Sequence, residues 1–143
     1  MEKEKILHLG NDISTILSTL MELKQKGSFC EALNKIDATL ISYFNLDKEF
    51  TYTLSEKILI HALKEEKRLN SEQLTYLAEI LSEKGDILLA QNKLKKSLQI
   101  FKNTLNIYYY INEDLDSFSF KNMNKMISIN EKLAKINADI DIY

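Results

Sequence analysis

Not one proline interrupts the 143 residues of this chain, and glycine occurs only at Gly10, Gly27 and Gly85. A chain so poor in breakers cannot easily make the frequent turns of a β fold, but it can run long helices. The apolar spacing agrees. Ile6, Leu9, Ile13, Ile16, Leu20 and Leu23 advance in alternating steps of three and four. That lays them along one stripe of a helix over about residues 3–25.

Further helices follow by the same logic. Gly27 suits a left-handed cap, and Ser28 with Glu31 three residues on has capping-box spacing. A tight turn should therefore lead into an antiparallel second helix. Its expected inward stripe is Phe29, Leu33, Ile36, Leu40 and Tyr43, with Ala32 small enough for close approach. The stretch NLDKEFTY (45–52) loses the helical period. Thr53 and Glu56 repeat the box spacing before a shorter third helix to about Lys67, with Leu54, Ile58, Leu59, Ala62 and Leu63 inward. Asn70 or Ser71 caps a fourth helix, striped by Leu74, Leu77, Ala78, Leu81, Gly85 and Leu88. Asn92 marks a turn, and a fifth helix presents Leu94, Leu98, Phe101, Leu105 and Tyr108. After a polar gap at 112–117 a sixth carries Met126, Ile129, Leu133 and Ile136, with DIDIY as a fraying tail. The expectation is an all-α domain over 1–143, about six antiparallel helices stacked as hairpins with an irregular middle one.

Gly85 falls on the apolar stripe, where a Gly without purpose would cost about 1 kcal/mol against Ala. A missing side chain lets the paired helix come close, and Ser97, Phe101 and Thr104 supply a small–large–small pattern to fill that approach. This spacing in YLAEILSEKGDILLAQNKLKKSLQIFKNTL resembles the tetratricopeptide repeat, a helical hairpin with a period of about 34 residues. Gly27-Ser28-Phe29, Ala32, Ile36 and Leu40 resemble it more weakly, with Leu20 where Gly85 would align. The chain departs from the family at Lys84, where an apolar residue is usual, and in having no closing proline. Ala32 and Ser97 lie 65 residues apart, near two periods but not equal to them. KGSFCEAL, NLDKEF before TLSEK, and LNSEQLTYLAEILSEKGD together also look like an uncharacterised bacterial family of tetratricopeptide-like proteins of unknown function. The resemblance implies a stacked-hairpin fold and a protein-binding role.

Composition narrows the function classes. The net charge is −2 and the only arginine is Arg68, which argues against a nucleic-acid surface. The single cysteine, Cys30, cannot form an internal disulfide and suits a reducing cytoplasm. No long apolar run follows MEKEK, so neither a signal peptide nor a membrane span is expected.

Reactive constellations are sparse. His61 with Glu65, and His8 with Asp12, lie four apart, and imidazole and carboxylate at that spacing can share an ion. With two histidines in the chain, each is read as a local surface pair instead. An enzyme using His61 and Glu65 is the alternative kept open, with catalytic residues, cofactor and metal otherwise expected to be none. Cys30 sits at a helix N-terminus, which favours a thiolate, but neither His is near in sequence. It is read as a small, partly buried apolar residue. Lys93, Lys95, Lys96 and Lys102 are read as a solvated face.

The resemblance also implies where a partner would dock. The first helix of each hairpin lines the inner curve of such stacks, which points to Leu17, Met21, Ser82, Asp86 and Leu89 as a groove for a protein or peptide; the competing reading has the sixth helix fold over it and bury Leu17, Met21 and Leu89 as core. The run Tyr108-Tyr109-Tyr110 cannot bury all three rings on one face. Tyr109 and Tyr110 are therefore candidates for an edge contact with a second copy, as in a homodimer. The sequence thus points to a cytoplasmic, non-enzymatic adaptor or scaffold. A self-associating structural module is the other reading.

Overall fold

The computed structural model describes residues 2–47, 56–113, 115 and 119–142. Among the described residues there are six α-helices and no strand. They are α1 (Glu2–Gln25), α2 (Phe29–Phe44), α3 (Glu56–His61), α4 (Ser71–Ala90), α5 (Leu94–Glu113) and α6 (Phe120–Ile142), with a π-helical turn at Ala62–Glu66 extending α3. Thr53, Leu54 and the side chains of Ile6, His8 and Glu56 lie outside the described residues. α6 continues through Asp139, so most of the expected tail is helix.

Two antiparallel hairpins, α1–α2 and α4–α5, repeat one plan 65 residues apart. Each first helix ends on a left-handed residue, Gly27 at φ 73° and Asn92 at φ 61°. The next amide reaches back five residues in both: Ser28 donates to the Leu23 carbonyl and Lys93 to that of Leu88, each at 2.9 Å. This is the Schellman closure, which satisfies carbonyls the helix end would leave bare. Asn45 and Arg68 stop α2 and the π turn by the same left-handed device. At the N-termini the hairpins differ. Asn70 and Gln73 form a reciprocal capping box, each side chain accepting from the other's backbone amide at 2.9 Å. Ser28 makes no side-chain cap, so the box expected with Glu31 is absent there.

α4 is the centre. It packs against α1, α2 and α5, while α5 also carries α3 and α6. That is why burial on α4 extends beyond one stripe, taking in Ile80, Ile87 and even Lys84. The departure at Lys84 has a reason: its Nζ reaches the Asp37 carboxylate of α2 at 3.1 Å. Gly85 faces α5 as its stripe requires. A Cβ there would lie 2.5 Å from the Phe101 ring, and the Ser97 hydroxyl donates to the Gly85 carbonyl at 2.9 Å.

Two inward assignments need correction. The buried stripe of α2 runs Ala32, Ile36, Thr39, Leu40, Phe44. Tyr43 lies about 100° from Phe44 and is exposed, its hydroxyl donating to Asp12 at 2.8 Å. On α3 the buried residue is Leu59, followed by Ala62 and Leu63 in the π turn, while Ile58 is 54% exposed.

Candidate functional site

With one face of α4 given to α5, a second stripe is left half-open between α1 and α6. Glu72, Tyr76, Glu79, Glu83 and Asp86 follow one another in steps of four and three, so they share that face. Lysines from both neighbours reach onto it. Lys24 of α1 lies 2.6 Å from Glu83 and 3.9 Å from Asp86. Lys132 of α6 lies 2.7 Å from Asp86, its ammonium also 5.6 Å from the centre of the Phe101 ring. Lys121 at the start of α6 lies 3.2 Å from Glu79. Asp86 thus ties α1, α4 and α6 side by side.

The expected groove residues fall on or near this surface with unequal access. Met21 is 57% exposed, one helical turn before Lys24. Leu17 and Leu89 are half-buried and rest against the core. Asp86 is occupied by the two lysines. Ser82 is buried, so it cannot orient a partner from the surface. Of the tyrosine run, Tyr109 is exposed, whereas Tyr110 is buried and unavailable for an edge contact. The third ring, Tyr108, is wholly buried, and its hydroxyl has no hydrogen-bond partner. Burial pushes its phenol above the ordinary range, and the Glu79 carboxylate pushes the same way.

The other candidates lie elsewhere. His61 and Glu65 are exposed at the junction of α3 and its π turn, and Cys30 is exposed at the start of α2. Asp12 holds Tyr43 across the outer side of α1 and α2. Among the described residues no three His, Cys, Asp or Glu side chains come together as a metal site would need. No described helix is long and apolar enough to cross a membrane.

Of the acidic run on α4, the sequence reading names Asp86 alone, although Glu72, Glu79 and Glu83 stand in the same helical period. No protein-family model, curated protein or solved structure matches the chain.

Proposed function

We propose that this protein is a bacterial, cytoplasmic adaptor or scaffold of tetratricopeptide-like type, which binds another protein or a peptide along the face shared by α1, α4 and α6. The observation that carries this is Met21, a large apolar side chain 57% exposed beside half-buried Leu17, on a wall held by Lys24, Glu83, Asp86 and Lys132. A rigid wall with an adaptable Met at its edge suits an apolar helix or extended segment. The tetratricopeptide likeness is supported by the two hairpins sharing one turn geometry and by the Gly85–Phe101 approach. No catalytic role, cofactor or nucleic acid enters this reading. Met21→Asp should abolish recovery of proteins that co-purify from the native host, with helical circular dichroism unchanged. Leu89→Asp should do the same if its half-buried side chain is replaced without loss of fold. Recovery unchanged in Met21→Asp would place the interface elsewhere.

Self-association is a second reading, favoured by Met123 and Ile127 on α6, 41% and 52% exposed. They lie four apart on the last helix of an open-ended stack, where a further unit of such an array would pack. Sedimentation equilibrium of the wild type against Ile127→Asp checks it. A monomeric wild type at high micromolar concentration removes this reading.

A further inference from the structure

α6 meets the second hairpin as α4 meets the first. α4 turns the stripe of Leu77, Ile80, Lys84 and Ile87 toward α2, all four buried and Lys84 bonded to Asp37. Met126, Ile129, Leu133 and Ile136 repeat that spacing 49 residues further on. They turn toward α5, where Asn112 donates to the Met126 sulfur at 3.2 Å, and Ile129 and Ile136 are buried. The next stripe of α4 is Leu74, Ala78, Leu81, Gly85 and Leu88. It is buried as well and receives α5, whose Phe101 ring closes on Gly85. The matching positions of α6 are Met123, Ile127, Asn130, Ala134 and Asn137, and all five are exposed. Ala134 stands where α4 has Gly85.

That exposed stripe carries no charge. From Lys121 to Asp139, α6 has six charged residues, and five of them, Lys121, Lys125, Lys132, Lys135 and Asp139, share the opposite side of the helix. Glu131 alone borders the stripe. A helix that closes a stack needs a polar outer face to stay in solution. α6 instead exposes Phe120, Met123 and Ile127, by 78%, 41% and 52%. Size is unevenly spread along it. These three large residues hold the N-terminal half, and Asn130, Ala134 and Asn137 hold the C-terminal half. An antiparallel copy of the same stripe would set large against small along its whole length.

We infer that a second copy of this chain covers the stripe, its own α6 lying antiparallel about a two-fold axis between Ile127 and Asn130. This rests on the self-association reading above and names its surface and its occupant. Met123 of one copy faces Ala134 of the other, and Ile127 faces Asn130, each contact being made twice by the symmetry. The two Asn130 amides flank the axis, where each can donate to and accept from the other. A buried Asn pair of that kind fixes register in a helical seam. With no charge on the stripe to select a different protein, its complementarity is to itself. From 120 to 137 it runs about 25 Å. Two such helices cover on the order of 1,000 Å² in all, the lower bound of a specific contact, so the dimer is expected to be reversible.

Sedimentation equilibrium of the whole protein at high micromolar concentration should show monomer and dimer in exchange. Ile127→Asp should weaken the dimer by about tenfold or more. Orientation is read from cysteine pairs in a Cys30→Ser background. Met123→Cys and Ala134→Cys proteins, mixed under air oxidation, should form a mixed disulfide dimer, because facing Cβ atoms come within disulfide reach. Neither protein alone should do so, since each cysteine then lies about 16 Å along the helix from its own copy. A monomeric wild type overturns the proposal together with the self-association reading. A dimer unmoved by Ile127→Asp overturns the α6 contact and leaves self-association standing. So does a mixture that forms no disulfide, or one that cross-links no faster than either variant alone.

Discussion

The two hairpins begin from one plan and end in different environments. Position for position, 65 residues apart, Gly27 matches Asn92, Thr39 matches Thr104 and Tyr43 matches Tyr108. The turns close with the same hydrogen bonds, and both threonines are buried and donate to the carbonyl four residues back at 2.7 Å. Yet Tyr43 is exposed and paired with Asp12, whereas Tyr108 is buried without a partner. Where α4 has Gly85 against the Phe101 ring, α1 has Leu20 and the matching residue of α2 is Ile36. The same hairpin can be closed by an aromatic pressed onto a glycine or by two aliphatic side chains. What differs is the covering. α4–α5 has α1, α2, α3 and α6 around it, and α1–α2 has α4 on one side.

Substitutions at matched positions should separate the two solutions. The largest effect is expected at Leu20, fully buried in the aliphatic version. Leu20→Ala removes volume and should cost about 2–4 kcal/mol in urea unfolding. Gly85→Ala adds volume at the matching place, with the new Cβ inside contact distance of the Phe101 ring, and should cost about 1–3 kcal/mol. A Gly85→Ala protein as stable as wild type would show that the Phe101 ring moves freely and that the close approach is not a constraint.

A smaller effect distinguishes the matched tyrosines. Both phenols are raised, Tyr43 first by its hydrogen bond to Asp12, Tyr108 first by burial. A folded-state value above the unfolded one of 10.0 means stability is fully present below pH 10 and is lost as pH rises beyond it. For Tyr108 the loss should approach about 1.4 kcal/mol per pH unit above pH 10. Tyr108→Phe should flatten that part of the alkaline stability curve. Tyr43→Phe should change it far less, because the exposed phenol is screened.

The smallest effect is expected at Gly10. A Cβ there would meet the Tyr76 hydroxyl at 2.9 Å, but that is the tip of a movable side chain. The helix-propensity gain of Ala, up to about 1 kcal/mol, offsets the adjustment. Gly10→Ala should therefore leave stability within about 0.5 kcal/mol of wild type in the same urea assay.

Much of this was readable from residue spacing. The six helices, the Gly85–Phe101–Ser97 approach, the left-handed stop at Gly27 and the turn at Asn92 follow from periodicity and turn chemistry. The errors share a cause. Tyr43 and Ile58 continue helical stripes that point inward, but α2 and α3 at the edge of the molecule bury only a narrow arc, and the residues beside that arc stay in water. Lys84 and Tyr110 show the reverse, being buried because helices remote in sequence surround them. Ser28 has the composition of a capping box without its hydrogen bond, since spacing names partners but does not fix backbone angles. At the candidate site the helix and face of Met21 and Asp86 were foreseeable. The lysines that hold Asp86 come from helices about 60 and 46 residues away in sequence, and no local pattern pairs them.

The central claim is that α4–α5 is the frame on which the remaining helices, and the binding face with them, are assembled. Native-state hydrogen exchange tests it most directly, because each amide reports the smallest opening that frees it. Amides of residues 77–88 and 100–111 should exchange only through global unfolding, tracking the free energy of denaturant melting. Those of α2 should exchange through a smaller opening, at least about tenfold faster, or about 1.4 kcal/mol lower. Protection in α2 equal to that in α4, across all denaturant concentrations, would contradict the claim and make the two hairpins one cooperative unit.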